Sequence, residues 1–166
     1  MSKVFLLFGS NLGDRFKIIA DAEVQVQRNI GGIVNSSSVY ESAPWGFEHN
    51  NKFLNKVLVI NTTYSPDVVL RSIQNIETQF GRVRNFSETY SGRTIDIDIL
   101  FYDDLIMNEE DLKIPHPLLH KRRFTLKPLV EIVPNFKHPV LHKSMQQLLD
   151  ECPDEQDAVQ VPTDGY

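Results

Sequence analysis

One cysteine, Cys152, is all that this chain of 166 residues contains, so an internal disulfide is excluded and a reducing, cytoplasmic compartment is the expectation. No apolar run approaches the roughly 20 residues of a membrane span, and the N-terminal one, residues 4–8, is too short for a signal-peptide core. Basic residues are missing after Lys143. Glu151, Asp154, Glu155, Asp157 and Asp164 stand there uncompensated and account for the whole net charge of −5. What precedes them is balanced, 17 basic against 17 acidic residues, which argues against broad electrostatic binding of nucleic acid. A Gly-X-X-X-X-Gly-Lys-Ser/Thr loop is also missing, and Gly9 to Gly13 lacks the lysine that a P-loop needs. His116 with His120, and His138 with His142, have zinc-like spacing but no nearby cysteine to complete a site. The expectation is one globular domain over residues 1–150, with 151–166 as an acidic, loosely held tail in which Val159 and Val161 offer an alternative edge strand.

Against these absences one feature stands out: Asp96 and Asp98 interrupt the apolar run 95–101. Residues i and i+2 of a strand point to one face, with their Cβ atoms roughly 6 to 7 Å apart. Two carboxylates at that spacing repel by about 2.5 kcal/mol at an effective dielectric of ~20. A divalent cation turns the repulsion into a site, and Mg²⁺ suits it because it binds through one or two carboxylates and takes phosphate oxygens for other positions. A solvent-facing polar stripe on an edge strand is the alternative. Arg82, Arg84 and Arg93 lie just upstream, and guanidiniums beside carboxylates favour a phosphate clamp over plain surface ion pairing.

Periodicity gives the fold. Residues 4–8 read as a buried strand; Leu12, Phe16, Ile19, Val26 and Ile30 keep a helical stripe, with Asn11 as candidate N-cap and Gly31-Gly32 as the stop. Residues 33–41 and 53–63 read as strands around a loop. Ser65 and Pro66 open a second helix with the stripe Val69, Ile73, Ile76 and Phe80, and 94–102 is the next strand. The order βαββαβ is the α+β, ferredoxin-like pattern with a mainly antiparallel sheet. Further helices follow at 124–133, with Pro128 near the start, and after a Ser144–Gln147 capping box.

At the level of motifs the chain resembles the hydroxymethyl-dihydropterin pyrophosphokinases, folate-pathway enzymes that move a pyrophosphoryl group from ATP to a pterin hydroxymethyl. The resemblance rests on Gly9-Ser10-Asn11-Leu12, Tyr40 to Gly46, Phe53-Leu54-Asn55, Gly81-Arg82-Val83-Arg84, Gly92 to Leu100, Ile114-Pro115-His116, Arg122 and Phe124. It implies that Asp96 and Asp98 hold magnesium, two Mg²⁺ ions bridging the ATP phosphates. It also implies that Arg82, Arg84 and Arg93 are the catalytic, phosphate-contacting arginines, the first two on a loop that closes over the reaction, and that His116, Arg122, Gln74 and Glu77 contact the nucleotide. For Gln74 and Glu77 a solvated helix face is the alternative.

For the pterin, the resemblance implies stacking by Phe53 and Phe124, an amide contact from Asn55, and loop contacts from Ser42, Ala43, Pro44 and Trp45, with Tyr90 as a lid. An amide inside an apolar strand also needs partners on chemical grounds. Tyr90-Ser91 stands where Trp and Pro are familiar in the family, and Ser42-Ala43 where Thr-Pro is. The implied enzyme is a monomer with ATP and the pterin as its only partners, without nucleic acid or membrane. Two other classes fit the residues less well. An RNA-binding βαββαβ module would need a basic-aromatic stacking motif on its third strand, which residues 53–60 lack. An Asp-X-Asp glycosyl- or nucleotidyltransferase would need a larger domain.

Overall fold

An internal strand explains the longest apolar stretch of the chain. Ser2–Ser10 (β1) is buried from Val4 onward, and its side chains alternate between two cores. Val4, Leu6 and Phe8 join one core, and Phe5 and Leu7 join the other. A strand buried on both faces reads as a continuous apolar run. The computed structural model describes residues 1–43, 52–81 and 94–162.

Arg15–Asn29 (α1), Gly32–Ser36 (β2), Tyr40–Ser42 (β3), Phe53–Thr62 (β4), Pro66–Gln79 (α2) and Asp96–Tyr102 (β5) complete the βαββαβ pattern. The second strand of that pattern is broken in two. The sheet runs β5-β1-β4-β3, with β2 also on β4, and every pairing is antiparallel. Ile19 and Val26 of α1 and Val69, Ile73 and Ile76 of α2 close the first core. Two C-terminal helices, Arg123–Ile132 (α3) and Met145–Asp150 (α4), supply Leu126, Leu129, Met145 and Leu148 to the second. Helices therefore cover both sheet faces. Each fully buried Leu, Ile or Phe contributes roughly 1.5–3 kcal/mol.

Several expected boundaries move, each for a local reason. Asp14, not Asn11, caps α1, accepting from Lys17 N at 3.2 Å. Gly13 before it has φ +70°, a backbone state outside the helix, so the stripe cannot begin at Leu12. The expected strand 33–41 breaks at Ser37–Ser38, where side chains compete for the backbone. Ser37 Oγ accepts from Val57 N at 2.9 Å, and Glu131 of α3 accepts from Ser38 N at 3.0 Å. Strand β5 starts at Asp96 and not at Thr94, whose carbonyl accepts instead from Ser10 Oγ. Pro128 sits inside α3 instead of near its start. The Ser144–Gln147 capping box is present on α4.

Between β5 and α3, Met107–Asn108 (β6) and Lys113–Ile114 (β7) form a small hairpin that ends in a cis Ile114–Pro115 bond. The acidic segment takes the edge-strand alternative. Ala158–Gln160 (β8) pairs antiparallel with β3, Ala158 is fully buried, and Val161 N donates to Val39 O at 2.9 Å. Its charges find cations on α3, since Lys127 Nζ lies 2.8 Å from Asp157 Oδ1. Low apolar content points to a loose segment, but strand pairing and the ion pairs Lys127–Asp157 and Lys143–Glu151 compensate. Among the described residues no helix is long and apolar enough to cross a membrane.

Candidate active site

One row of the sheet brings the carboxylates and the Asn55 amide together. Gly9 of β1 is paired with Asp96 on one side and Asn55 on the other, and Asn55 is paired in turn with Tyr40. Directly opposed residues of antiparallel strands share a face. Asp96 and Asn55 therefore flank a position that has no side chain, and Asp98 follows on the same face two residues along. A Cβ built on Gly9 would stand 3.7 Å from both Asn55 Oδ1 and Phe53 Cδ1. The amide oxygen and the aromatic ring thus border the space above Gly9. This is the face that α3 covers further along, since Tyr40 Oη donates to Glu131 Oε1 at 2.8 Å.

Asn55 is 2% exposed, and its amide is oriented by the protein itself. Its Nδ2 donates to Ser42 Oγ at 2.8 Å and to Tyr40 O at 3.3 Å. Sequence reasoning gave Ser42 a backbone role on the loop; its hydroxyl, buried beside the amide, is what fixes the orientation of Asn55. Ala43 follows at the end of the described segment, half-buried.

The outer edge of β5 is covered by two functional candidates. Buried Glu77 of α2 turns inward, and its Oε2 accepts from Ile97 N, between the two aspartates, at 3.0 Å. Glu77 is therefore no part of a solvated helix face, whereas Gln74, one turn earlier, is exposed. Sequence pattern missed this because the carboxylate of Glu77 protects a sheet edge, a role that carries no periodic signal. Further along the edge, His116 N donates to Leu100 O at 3.0 Å, which brings the imidazole beside Asp98. Its Nε2 lies 4.0 Å from Asp98 Oδ2.

Burial pushes the His116 pKa down to about 4, helped by the Arg122 guanidinium and opposed by Asp96. The ring is neutral near pH 7, so its approach to Asp98 is a polar contact and not an ion pair. Nδ1 accepts from Leu118 N at 3.1 Å, which leaves the proton on Nε2, facing the carboxylates. Arg122 is also partly buried. Burial lowers its pKa while Asp98, Asp96 and Asp154 act to raise it, so the guanidinium faces the aspartates and stays charged. Its Cζ lies 5.5 Å from the ring centroid of Phe124, a cation–π stack that fixes both side chains.

The structure therefore gathers Asp96, Asp98, Glu77, His116, Arg122 and Phe124 around β5 and the start of α3, and Phe53, Asn55 and Ser42 on the other side of Gly9. Pro44, Trp45, Arg82, Arg84, Tyr90 and Arg93 lie outside the described residues. Hard oxygen donors on one strand face, partly exposed and two residues apart, match the needs of Mg²⁺, which requires only one or two protein carboxylates.

Residues 5–134 match the family model described as 7,8-dihydro-6-hydroxymethylpterin-pyrophosphokinase (HPPK). A 2-amino-4-hydroxy-6-hydroxymethyldihydropteridine pyrophosphokinase of Aquifex aeolicus is 41% identical over 151 residues, 91% of this chain and 92% of that protein. A folic acid synthesis protein of Dictyostelium discoideum is 42% identical over 139 residues, which cover 84% of this chain but 21% of that much longer one. Among solved structures, wild-type HPPK-DHPS of Plasmodium falciparum superposes with a TM-score of 0.73 over 90% of this chain and 44% of its own; at 18% identity that likeness speaks for the fold alone. With a family match across most of its length and a relative of nearly equal extent, the chain belongs to the 7,8-dihydro-6-hydroxymethylpterin-pyrophosphokinase family.

Proposed function

We propose that the chain transfers a pyrophosphoryl group from ATP to 6-hydroxymethyl-7,8-dihydropterin, giving AMP and the pterin pyrophosphate, a step of folate biosynthesis. The observation that carries the site assignment is the Gly9 row, with carboxylates on one side of an open position and a fixed amide and aromatic ring on the other. A phosphate-and-metal half and a flat heteroaromatic half thus adjoin across a single residue. In this reading Phe53 and Phe124 stack on the pterin, Asn55 reads its edge, and the backbone of Ser42, Ala43, Pro44 and Trp45 completes the pocket, with Tyr90 as lid.

Asp96 and Asp98 would hold magnesium, two ions in all, which would neutralise the phosphate charge. Glu77 keeps these ligands in place through the β5 backbone and, with Gln74, borders the nucleotide. His116, neutral with its proton on Nε2, donates to a phosphate oxygen, and Arg122 adds fixed positive charge. Arg82, Arg84 and Arg93 stabilise charge as it develops. The pterin hydroxyl oxygen bonds to the β-phosphorus and releases its proton to solvent, the bond from that phosphorus to the α,β-bridging oxygen breaks, and AMP leaves with that oxygen and the bonding electron pair. Among the described residues no side chain stands out as general base, and positioning carries the reaction.

The reading takes the enzyme as a cytoplasmic monomer with one pyrophosphokinase domain extending through β8. Both halves of the site come from one chain, and the lone Cys152 suits a reducing compartment. Phosphorus NMR of a reaction with ATP, Mg²⁺ and the reduced hydroxymethylpterin tests the chemistry. AMP with a pterin pyrophosphate is expected. ADP as the nucleotide product refutes it.

A further inference from the structure

We propose that Asp154, in the acidic C-terminal segment, is a positioning residue for both substrates, because it fixes the start of α3, from which Arg122 and Phe124 project. The inference rests on the roles given above to those two side chains. It concerns a residue outside the segment 5–134 that the family model matches.

The first turn of a helix leaves N–H groups without intrahelical partners. Arg122, the N-cap of α3, makes no side-chain capping hydrogen bond. Asp154 supplies one from outside the helix, its Oδ2 accepting from Arg123 N at 3.1 Å. Its other oxygen, Oδ1, accepts from Gln156 N at 3.0 Å, so the carboxylate cannot swing away. Its carbonyl accepts from Arg123 Nε at 2.7 Å, a second tie to the same residue. The Asp154 charge also acts on Arg122, after those of Asp98 and Asp96.

The strap that carries Asp154 is itself anchored. Lys127 Nζ, one turn along α3, donates to Asp157 Oδ1 at 2.8 Å and to Ala158 O at 2.9 Å, and β8 then joins the sheet. Arg123 is thus held between a fixed strap and the helix. Its two chain neighbours serve different substrates, Arg122 the nucleotide and Phe124 the pterin. A small displacement of residue 123 therefore moves both contacts together, whereas loss of either contact by itself would affect one substrate.

Steady-state kinetics of the full-length Asp154→Ala and Asp154→Asn variants, with ATP and the hydroxymethyldihydropterin varied in turn, test this. Asp154→Ala is expected to raise both KM values together by about three- to tenfold with kcat within about twofold, the pattern of lost positioning before the transition state. Asp154→Asn keeps an amide oxygen for the Arg123 N–H but turns its amino group toward Gln156 N, and is expected to bring both KM values only part of the way back toward wild type. A merely structural role would lower the thermal midpoint and leave the KM values of the folded enzyme unchanged. Unchanged KM values in Asp154→Ala, or KM values in Asp154→Asn as high as those of Asp154→Ala, overturn the proposal. If Asp154→Ala does not fold, Arg123→Ala removes only the Nε contact, and a smaller parallel rise in both KM values is expected; no rise overturns it. Wild-type protein that forms no AMP refutes the functional reading instead. Calorimetric binding of a non-hydrolysable ATP analogue with Mg²⁺ then decides about Asp154, weaker binding by the Ala variant supporting its role and equal binding overturning it.

Discussion

Glu77 Oε2 accepts the N–H of Ile97 at 3.0 Å, so a buried carboxylate on α2 holds the backbone between the two aspartates of β5. The bond satisfies an N–H on an outer edge of the sheet and couples the helix to the strand that presents Asp96 and Asp98. Glu77→Ala leaves that donor buried and unmet, at a cost of about 1–3 kcal/mol. We expect it to raise the Mg²⁺ concentration needed for half-maximal activity as well. Glu77→Gln keeps an acceptor and is expected to lose less on both counts. Urea denaturation together with a Mg²⁺ titration checks this, and equal effects of the two substitutions would contradict it.

Removing either carboxylate from β5 tests the metal assignment. Asp96→Ala and Asp98→Ala are expected to lose Mg²⁺-dependent turnover by more than about 100-fold while the far-UV spectrum stays unchanged, since each loses a ligand and relieves repulsion. Full Mg²⁺-dependent activity in either variant would take the aspartates out of the site.

His116 and His138 both give stability a pH dependence. Burial pushes each pKa down to about 4, from an ordinary value of 6.5. Between those values the unfolded chain binds more protons than the folded one, so stability is complete above about pH 6.5 and falls as pH drops toward 4. Equilibrium unfolding across that window should show the decline. His116→Asn and His138→Asn should each flatten part of it. A slope unchanged in both variants would mean that neither ring is held neutral.

Deleting residues 155–166 removes β8, with its buried Ala158 and the Lys127–Asp157 pair. An expected loss of about 1–3 kcal/mol follows from exposing the edge of β3 and its apolar neighbours. A truncated protein with the wild-type thermal midpoint would show that the segment adds nothing to the sheet.

Much of this was legible in the sequence, and the rest was hidden for identifiable reasons. The Asp-X-Asp on a strand, the stripes of α1 and α2 and the capping box of α4 depend on local spacing, which a chain displays openly. The break at Ser37–Ser38 depends on Glu131, more than 90 residues away, and the inward turn of Glu77 depends on a strand 20 residues on. The docking of the acidic segment depends on Lys127 and Arg123, whose positions no composition count reveals. Long-range partners of polar side chains were what the pattern could not supply. The same gap explains Ser42, whose hydroxyl matters only because Asn55 is folded against it.

The open position above Gly9 is where the carboxylates and the pocket bordered by Asn55 and Phe53 adjoin. A methyl group there would make ordinary contacts of 3.7 Å with Asn55 and Phe53, so Gly9→Ala should fold normally while filling space between the carboxylates and the pterin pocket. Calorimetry with the full-length variant, in the presence of Mg²⁺ and a non-hydrolysable ATP analogue, measures the consequence. The predicted result is pterin affinity weakened by roughly tenfold or more, about 1.4 kcal/mol, with binding of the nucleotide analogue within about twofold of wild type. Wild-type pterin affinity in Gly9→Ala would contradict the placement of the substrate across this row of the sheet.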